Sequence, residues 1–151
     1  QKARANGMEV HALGGKSGWG LERNRPEILS LVDWVGRYNQ TVETDAAITG
    51  IHLDIEPYTL PEWKSDQNEV IRQWMGNVNA YVTKAKELDP SLQVGCDIPF
   101  WLDKTALPDQ PVGSISEWLI SRHDHVTVMG ESPKLHFGSR HPRAGEGRAT
   151  W

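Results

Sequence analysis

The sequence contains a single cysteine, Cys96, among its 151 residues. One cysteine excludes an internal disulfide and any zinc site built from several cysteines. No apolar stretch approaches the ~20 residues that a membrane-spanning helix needs. Basic residues are also in deficit, with 16 Lys and Arg against 20 Asp and Glu, and the formal net charge is −4. Because nucleic-acid binding needs a basic surface to neutralise phosphates, we expect no nucleic-acid partner.

Phenylalanine is scarce too, with two residues against seven tryptophans. The hydrophobic content of 38% and the charged content of 24% are nevertheless those of one folded domain. An aromatic set dominated by indole rings indicates surfaces on which flat or ring-shaped groups stack.

Four short strand patterns alternate with helical patterns. The predicted strands are 8–13, 49–55, 92–98 and 125–129, and the predicted helices are 25–38, 66–88 and 115–123. Strands that alternate with helices favour a parallel sheet with crossover helices. A complete eight-stranded barrel has about 250 residues, so this length holds about four units. The predicted fold class is therefore α/β, a partial (β/α)8 TIM barrel of about four βα units with parallel strands.

Each predicted strand has one apolar face and one polar or small face, because alternate residues point to opposite sides. In the second strand Ile51 and Leu53 share the apolar face, whereas His52, Asp54 and Glu56 share the other. A complete open doubly wound sheet is the alternative, but helices cover both of its faces. In a barrel only the outer face meets helices, and the inner face opens at the carboxyl ends of the strands. The alternation favours the barrel.

Residues 1–130 are predicted to form this partial barrel, and residues 131–151 an irregular or disordered tail without helical or strand periodicity. Residues 1–6 resemble the last turn of a helix that ends at Asn6-Gly7. We therefore expect the chain to be a fragment of a longer protein. Half a barrel leaves two open sheet edges. The missing half-barrel of the parent chain is thus an expected partner, and the chain alone is expected to be inactive or to need that half.

The densest chemistry lies where the second predicted strand ends. Asp54 and Glu56 share one face of this strand and lie about 6.6 Å apart along it. Two carboxylates this close repel each other, so the one that is more buried holds its proton at neutral pH. A protonated carboxyl can act as the general acid that protonates a glycosidic oxygen. The pattern predicts Glu56 and Asp54 as catalytic residues, and an ion pair with a basic residue is the structural alternative.

The residues GIHLDIEP at 50–57 resemble the fourth strand of family 18 glycoside hydrolases, the chitinase-like family, whose motif reads D-x-x-D-x-D-x-E. Glu56 matches the proton-donating Glu of this motif. Asp54 matches the adjacent Asp that orients the N-acetyl group of the substrate and tunes the acid. Thr49 and His52 occupy the positions of the first two Asp residues. Glu56-Pro57 is also similar to the Asn-Glu-Pro strand end of the large retaining-glycosidase clan.

The end of the fourth predicted strand carries a second likeness. Met129-Gly130-Glu131 is similar to the Met-x-Tyr-Asp strand end of family 18, with Glu131 in the place of the Tyr. Together the two likenesses imply a glycosidase-like TIM barrel with a carbohydrate substrate and no cofactor. They also imply a secreted or extracellular location, which nothing else in the sequence indicates.

Several side chains beside the two carboxylates are expected to contact the substrate. Tyr58 can donate a hydrogen bond to the substrate or to Glu56, and sugar rings can stack on indoles that follow strand ends. For His52, a hydrogen bond to Asp54 or Asp97 is the alternative to a ligand contact. The predicted substrate-binding residues are Tyr58, His52, Asp97, Trp101, Trp19, His11 and Met129.

Two other functions fit the same residues. The first is a metal-dependent hydrolase, in which carboxylates and imidazoles hold a divalent ion that activates water. Its ligands would be His11, His52, Asp54, Glu56 and Asp97. The second is a non-catalytic saccharide-binding barrel. The primary prediction is hydrolysis of glycosidic bonds in an oligo- or polysaccharide by carboxylate acid/base chemistry, with no metal.

Overall fold

The computed structural model describes residues 2–110 and 112–130. The helices are α1 (Lys2–Ala5), α2 (Arg25–Gln40), α3 (Pro61–Ser65), α4 (Gln67–Leu88) and α5 (Ile115–Arg122). The strands are β1 (His11–Gly14), β2 (Gly50–Leu53), β3 (Gln93–Pro99) and β4 (His125–Met129). Short 3-10 turns are Ser17–Gly20, Glu22–Asn24, Thr44–Ala46, Pro57–Thr59 and Phe100–Lys104. The tail predicted for 131–151 lies outside the described residues.

The four strands form one parallel sheet in the order β1-β2-β3-β4. Its register aligns His52 of β2 with Leu13 of β1 and with Gly95 of β3, and Gly95 with His125 of β4. Strand order therefore equals chain order, and every crossover advances the sheet in the same direction. The mixed α/β class with parallel strands, predicted from the sequence, is confirmed.

Helix α4 forms where the sequence has its clearest helical period. Asp66 caps it, because its side chain accepts a hydrogen bond from the amide of Glu69 at 3.1 Å. A cap of this kind stabilises a helix by about 1 kcal/mol. Six apolar side chains of one stripe are buried, namely Val70, Ile71, Trp74, Val78, Tyr81 and Ala85. Helix α5 begins with a capping box between Ser114 and Glu117, as its sequence predicts.

The helices pack on the apolar face of the sheet. Ile51, Leu53 and Val94 are at most 1% exposed, and they belong to one hydrophobic cluster with Val32 of α2 and Ile71 of α4. Burying an aliphatic side chain of this size contributes about 1.5–3 kcal/mol. The polar side chains of β2 and β3 point away from this cluster, since neighbouring residues of a strand face opposite ways.

A buried amide on α4 holds the connection that follows β1. Asn77 is fully buried, and its side-chain nitrogen donates to the carbonyls of Trp19 at 2.8 Å and Leu21 at 2.9 Å. Its oxygen accepts from Nε of Arg25 at 2.9 Å. Because every polar atom of this amide has a partner, Asn77 fixes the loop on the helix without an unpaired buried group.

Two strands are shorter than predicted. β1 starts at His11, although the carbonyl of Val10 still accepts from the amide of Thr49 at 2.9 Å. β2 ends at Leu53, although the amide of Asp54 still donates to the carbonyl of Gly14 at 2.9 Å. Regular pairing thus stops where the chain turns into loops. In the part of the chain that the structure describes, no helix is both long and apolar enough to cross a membrane.

Candidate functional site

A cavity of about 210 Å³ opens at the carboxyl ends of β2, β3 and β4. Four predicted site residues line it: Glu56 and Tyr58 after β2, Trp101 after β3, and Met129 at the end of β4. Pro99, Phe100 and Gly130 complete the lining. Its volume lies below the ~300 Å³ at which pockets for drug-sized ligands begin, so it suits one small ring or group. The fold thus brings three separate sequence segments to one opening.

Glu56 and Tyr58 are joined directly. The hydroxyl of Tyr58 donates a hydrogen bond to Oε1 of Glu56 at 2.9 Å. Burial, followed by this hydrogen bond, raises the pKa of Tyr58. The hydroxyl therefore keeps its proton and remains a donor to Glu56 at neutral pH.

The ring of Tyr58 is held edge-on by two indoles. Its centroid lies 4.9 Å from that of Trp101, at an interplanar angle of 78°. The centroid of Trp63 lies 6.3 Å away, at 81°. Edge-to-face pairs of this kind contribute about 0.5–1.5 kcal/mol beyond their buried area. The aromatic wall of the cavity is therefore fixed, and it holds the phenol against the carboxylate.

The loops around Asp54 pass very close to each other. A Cβ atom added to Gly15 would lie 1.9 Å from the carbonyl oxygen of Asp54. On the other side, a Cβ atom added to Gly20 would lie 2.4 Å from Cβ of Pro57. Only glycine fits at these two positions, so the glycine-rich connection after β1 sets the position of the residues that follow β2.

The surroundings of Asp54 favour its neutral form. Burial raises the pKa of Asp54, the negative charges of Glu56 and Asp97 raise it further, and His52 opposes them. Its Oδ1 atom is hidden from solvent and has no hydrogen-bond partner among the described residues.

Three predicted substrate contacts lie outside the cavity lining. Nε2 of His52 is 3.0 Å from Oδ1 of Asp97, which agrees with the structural alternative considered for His52. His11 lies lower on the sheet, with Nε2 3.4 Å from a carboxylate oxygen of Glu9. His11, His52 and Asp97 thus do not line this cavity, and their substrate contacts stay predictions.

Trp19 is also placed elsewhere. It is 7% exposed within the hydrophobic core, and its Nε1 donates to Oε2 of Glu27 at 2.9 Å. Both faces of the ring are therefore taken up by protein, and the stacking role predicted for Trp19 is corrected. Its position in a loop after a strand could not reveal this, because its partner Glu27 belongs to the next helix.

His125 of β4 is not among the site residues predicted from the sequence. Its Nε2 lies 3.1 Å from Nδ1 of His52, and its ring centroid is 5.2 Å from that of His52. The signal was present in the sequence. Gly95 lies between the two residues in the sheet register and has no side chain to separate them.

No protein-family model, curated protein or solved structure matches the chain. Any function proposed for the chain therefore depends on the chemistry of the site.

The metal-dependent alternative finds no geometric support. Among residues 2–110 and 112–130, no group of three or more His, Cys, Asp or Glu side chains is arranged to hold a metal ion. A cysteine nucleophile is unfavourable as well, because burial raises the pKa of Cys96 to about 12. A thiol with this pKa carries almost no thiolate at neutral pH, and the thiolate is the reactive form.

A second cavity, of about 290 Å³, lies at the amino ends of the strands. Its lining includes Arg4, Glu9, Thr49 and Gln93, and it contains none of the predicted site residues. Parallel α/β folds bind their ligands at the carboxyl ends of the strands. The smaller cavity beside Glu56 is therefore the better candidate.

Proposed function

We propose that the chain provides the acid-bearing part of a carbohydrate-active hydrolase, with Glu56 as general acid and Asp54 as the neighbouring carboxyl that tunes it. The observation that carries this proposal is the cavity that joins Glu56 and Tyr58 with Trp101 and Met129. An aromatic wall beside a carboxyl is the chemistry that a sugar ring requires. Its apolar C–H face packs on rings, while its glycosidic oxygen needs a proton.

The proposed roles follow from the contacts. Tyr58 donates to one oxygen of Glu56 and so leaves the other oxygen to face a ligand. Asp54 lies one alternate position back along the chain, and burial and the charges of Glu56 and Asp97 raise its pKa, so we assign it the role of tuning the acid. Protonation of the glycosidic oxygen by Glu56 lets the C–O bond break with its electron pair on that oxygen. Water then supplies the hydroxyl of the new reducing end, and the proton that this water releases restores the acid form of Glu56.

We also propose that the sheet is half of a (β/α)8 barrel. Strand order equal to chain order, with helices on the apolar face, supports this arrangement. Large apolar side chains are exposed at both edges of the sheet: Val10 (40%) and Leu13 (72%) beside β1, and Val128 (59%) on β4. A complementary half-barrel would cover these side chains and pair the open edges.

The direct test is hydrolysis of a panel of oligosaccharides by the completed barrel and by this chain alone. Glu56→Gln keeps the shape of the side chain and removes its acid. We expect it to lower turnover by about 10²–10⁴-fold, the usual contribution of a general acid. Glu62→Gln is the matched control, because Glu62 forms only a surface ion pair with Arg23 at 3.1 Å.

The outcomes separate the parts of the proposal. Turnover that is equal in wild type and Glu56→Gln removes Glu56 from the chemistry. Robust turnover by the chain alone refutes the need for a second half-barrel and leaves the site intact. Binding of saccharides without any cleavage by the completed barrel supports a non-catalytic saccharide-binding protein instead.

A further inference from the structure

The cavity beside Glu56 is smaller than the substrate that the proposed function requires. Its volume of about 210 Å³ suits one sugar ring. A glycosidic oxygen within an oligosaccharide, however, joins two rings, and both lie close to the carboxyl that protonates it. One ring therefore fits inside the cavity, and its neighbour must rest on a surface at the opening.

Phe100 offers such a surface. It lines the cavity together with Tyr58 and Trp101, although it is not among the site residues predicted from the sequence. Tyr58 and Trp101 pack against the hydrophobic cluster and contact each other edge to face. Phe100 is 52% exposed and is not part of that cluster in the described part of the chain. Its ring therefore keeps an apolar surface free for a ligand, whereas protein partly buries the other two rings.

Pairing of the open sheet edges would not cover Phe100. Val10, Leu13 and Val128 are exposed at the outer strands β1 and β4, where a further half-barrel would pair. Phe100 follows β3, which already pairs with β2 and with β4. Its exposure is therefore not a consequence of an open edge. The ring lies at the carboxyl ends of the strands, where parallel α/β folds bind their ligands.

The backbone that carries Phe100 is anchored on both sides. Pro99 is buried, and it stands opposite Met129 in the register of β3 and β4. Leu102 is fully buried, and its carbonyl accepts a hydrogen bond from the amide of Thr105 at 3.1 Å. A surface that is already ordered binds a ligand without the entropic cost of ordering a loop.

The chain after this turn is tied to helix α5. The carbonyl of Thr105 accepts from the amide of Ile115 at 3.0 Å, and Ala106 forms an antiparallel bridge with Ser114. Ser114 also forms the capping box of α5. The fold thus holds the turn in place, and the exposed ring of Phe100 is a fixed feature of the opening.

We propose that Phe100 is the platform of a second saccharide subsite, so that the chain binds an oligosaccharide of at least two linked rings. One ring lies in the cavity against Tyr58 and Trp101, and the apolar C–H face of the next ring packs on Phe100. The glycosidic oxygen between the two rings then lies beside Glu56. This inference rests on the proposed function for its first ring, because the second subsite needs an occupied cavity beside it.

The platform fits sugars whose ring substituents are all equatorial. Such a ring has a flat apolar face of C–H groups, which matches the flat face of a phenyl ring. Glucose and N-acetylglucosamine are rings of this kind. Their disaccharides cellobiose and diacetylchitobiose place a second such ring next to the first, so they are the probes of choice.

The test compares each monosaccharide with its disaccharide on the intact chain. NMR titrations measure Kd for glucose and cellobiose, and for N-acetylglucosamine and diacetylchitobiose. In the wild type, the disaccharide of at least one pair should bind about tenfold more tightly than its monosaccharide, the gain expected from covering the exposed half of a phenylalanine side chain. Phe100→Ala should remove this gain and leave the Kd of the monosaccharide nearly unchanged.

Two further variants and a control separate the ring from its surroundings. Phe100→Trp keeps a flat ring and should keep the gain, whereas Phe100→Leu keeps apolar bulk without a ring and should lose part of it. Ile120→Ala is the matched control, since Ile120 is 54% exposed on α5 and lies outside the cavity lining. It should leave every Kd unchanged.

The outcomes keep this inference apart from the proposed function. A disaccharide that binds no more tightly than its monosaccharide overturns the inference, and so does a gain that persists in a folded Phe100→Ala. Equal weakening of both sugars by Phe100→Ala also overturns it, because Phe100 would then serve the first ring. If Phe100→Ala does not fold, equal gains in Phe100→Trp and Phe100→Leu overturn it. In each of these cases a monosaccharide that shifts Tyr58 and Trp101 still supports the cavity as a sugar site. Absence of binding by all four sugars overturns the inference, and hydrolysis of the oligosaccharide panel then tests the proposed function separately.

Discussion

Tyr58 and Glu56 are separated by one proline, and the hydroxyl of the first donates to Oε1 of the second at 2.9 Å. The same phenol ring rests edge-on against Trp101. A single side chain therefore connects the carboxyl to the aromatic wall of the cavity. This connection places the carboxylate where a ring stacked on that wall would meet it.

Removing the Tyr58 hydroxyl should impair turnover more than folding. A hydrogen bond to a charged group contributes about 1.5–3 kcal/mol. Tyr58→Phe should therefore reduce kcat by about 10- to 100-fold, since 1.36 kcal/mol corresponds to a factor of ten. The measurement is kcat on the best substrate, with thermal unfolding alongside. Tyr38→Phe, on α2 and outside the cavity lining, should leave both unchanged. A fully active Tyr58→Phe would contradict the role given to this hydroxyl.

Asp54 should make the stability of the chain depend on pH. The pKa of Asp54 is higher in the folded state than the usual value of 3.8. Its contribution to the free energy of unfolding is therefore fully present at pH values below 3.8. The contribution is lost as pH rises through the folded pKa, because ionisation then opposes burial. Asp54→Asn cannot ionise. Its unfolding free energy should therefore increase relative to that of the wild type as the pH rises from 3.8 through the folded pKa of Asp54. Urea unfolding at a series of pH values measures the difference.

The exposed Asp45 gives the control for this experiment. Asp45→Asn should follow the wild-type curve throughout. A constant offset between Asp54→Asn and wild type at every pH would indicate a packing effect instead and would contradict the assigned titration.

Gly15 should tolerate no larger residue. The Cβ atom of Gly15→Ala would meet backbone, the carbonyl of Asp54, at 1.9 Å, and backbone cannot swing away as a side chain does. We expect a loss of about 1–3 kcal/mol in unfolding free energy, typical of overpacking. Gly76→Ala in the middle of α4 is the control, since its Cβ meets only the guanidinium of Arg25 at 3.1 Å. It should be neutral or stabilising by helix propensity.

Asn77 should be the polar residue on which folding depends most. Asn77→Ala leaves the carbonyl of Trp19 without its donor and Nε of Arg25 without its acceptor, whereas the carbonyl of Leu21 keeps the amide of Asn24. An unsatisfied buried group costs about 1–3 kcal/mol, so a total of about 2–4 kcal/mol is expected. Asn68→Ala, an exposed position on the same helix, should remain within about 0.5 kcal/mol of wild type. The measurement is denaturant unfolding of both variants. Equal midpoints for Asn77→Ala and Asn68→Ala would contradict this account of Asn77.

The helices and the faces of the strands could be predicted because they depend on local periodicity. The helix predicted for 66–88 and the alternation around Leu53 both hold in the structure. The carboxyl and aromatic residues of the cavity could be proposed because each follows a strand end, and the carboxyl ends of parallel strands meet at one edge of a sheet.

Long-range partners could not be predicted from the same patterns. The burial of Trp19 depends on Glu27 in the following helix, and the role of His52 depends on residues two strands away. The raised pKa of Asp54 depends on its burial and on Asp97 of the next strand, and strand parity shows neither. These features follow from the packed fold and not from any local signal.

The central claim is that a sugar ring binds in the cavity beside Glu56. Its most direct test is an NMR titration of the chain with soluble oligosaccharides, in wild type and Glu56→Gln. The account predicts saturable shifts at Trp101, Tyr58 and Met129 in both proteins, because the substitution removes the acid and leaves the binding surface. Shifts confined to the opposite cavity around Thr49 and Gln93, or no shifts with any saccharide, would contradict it.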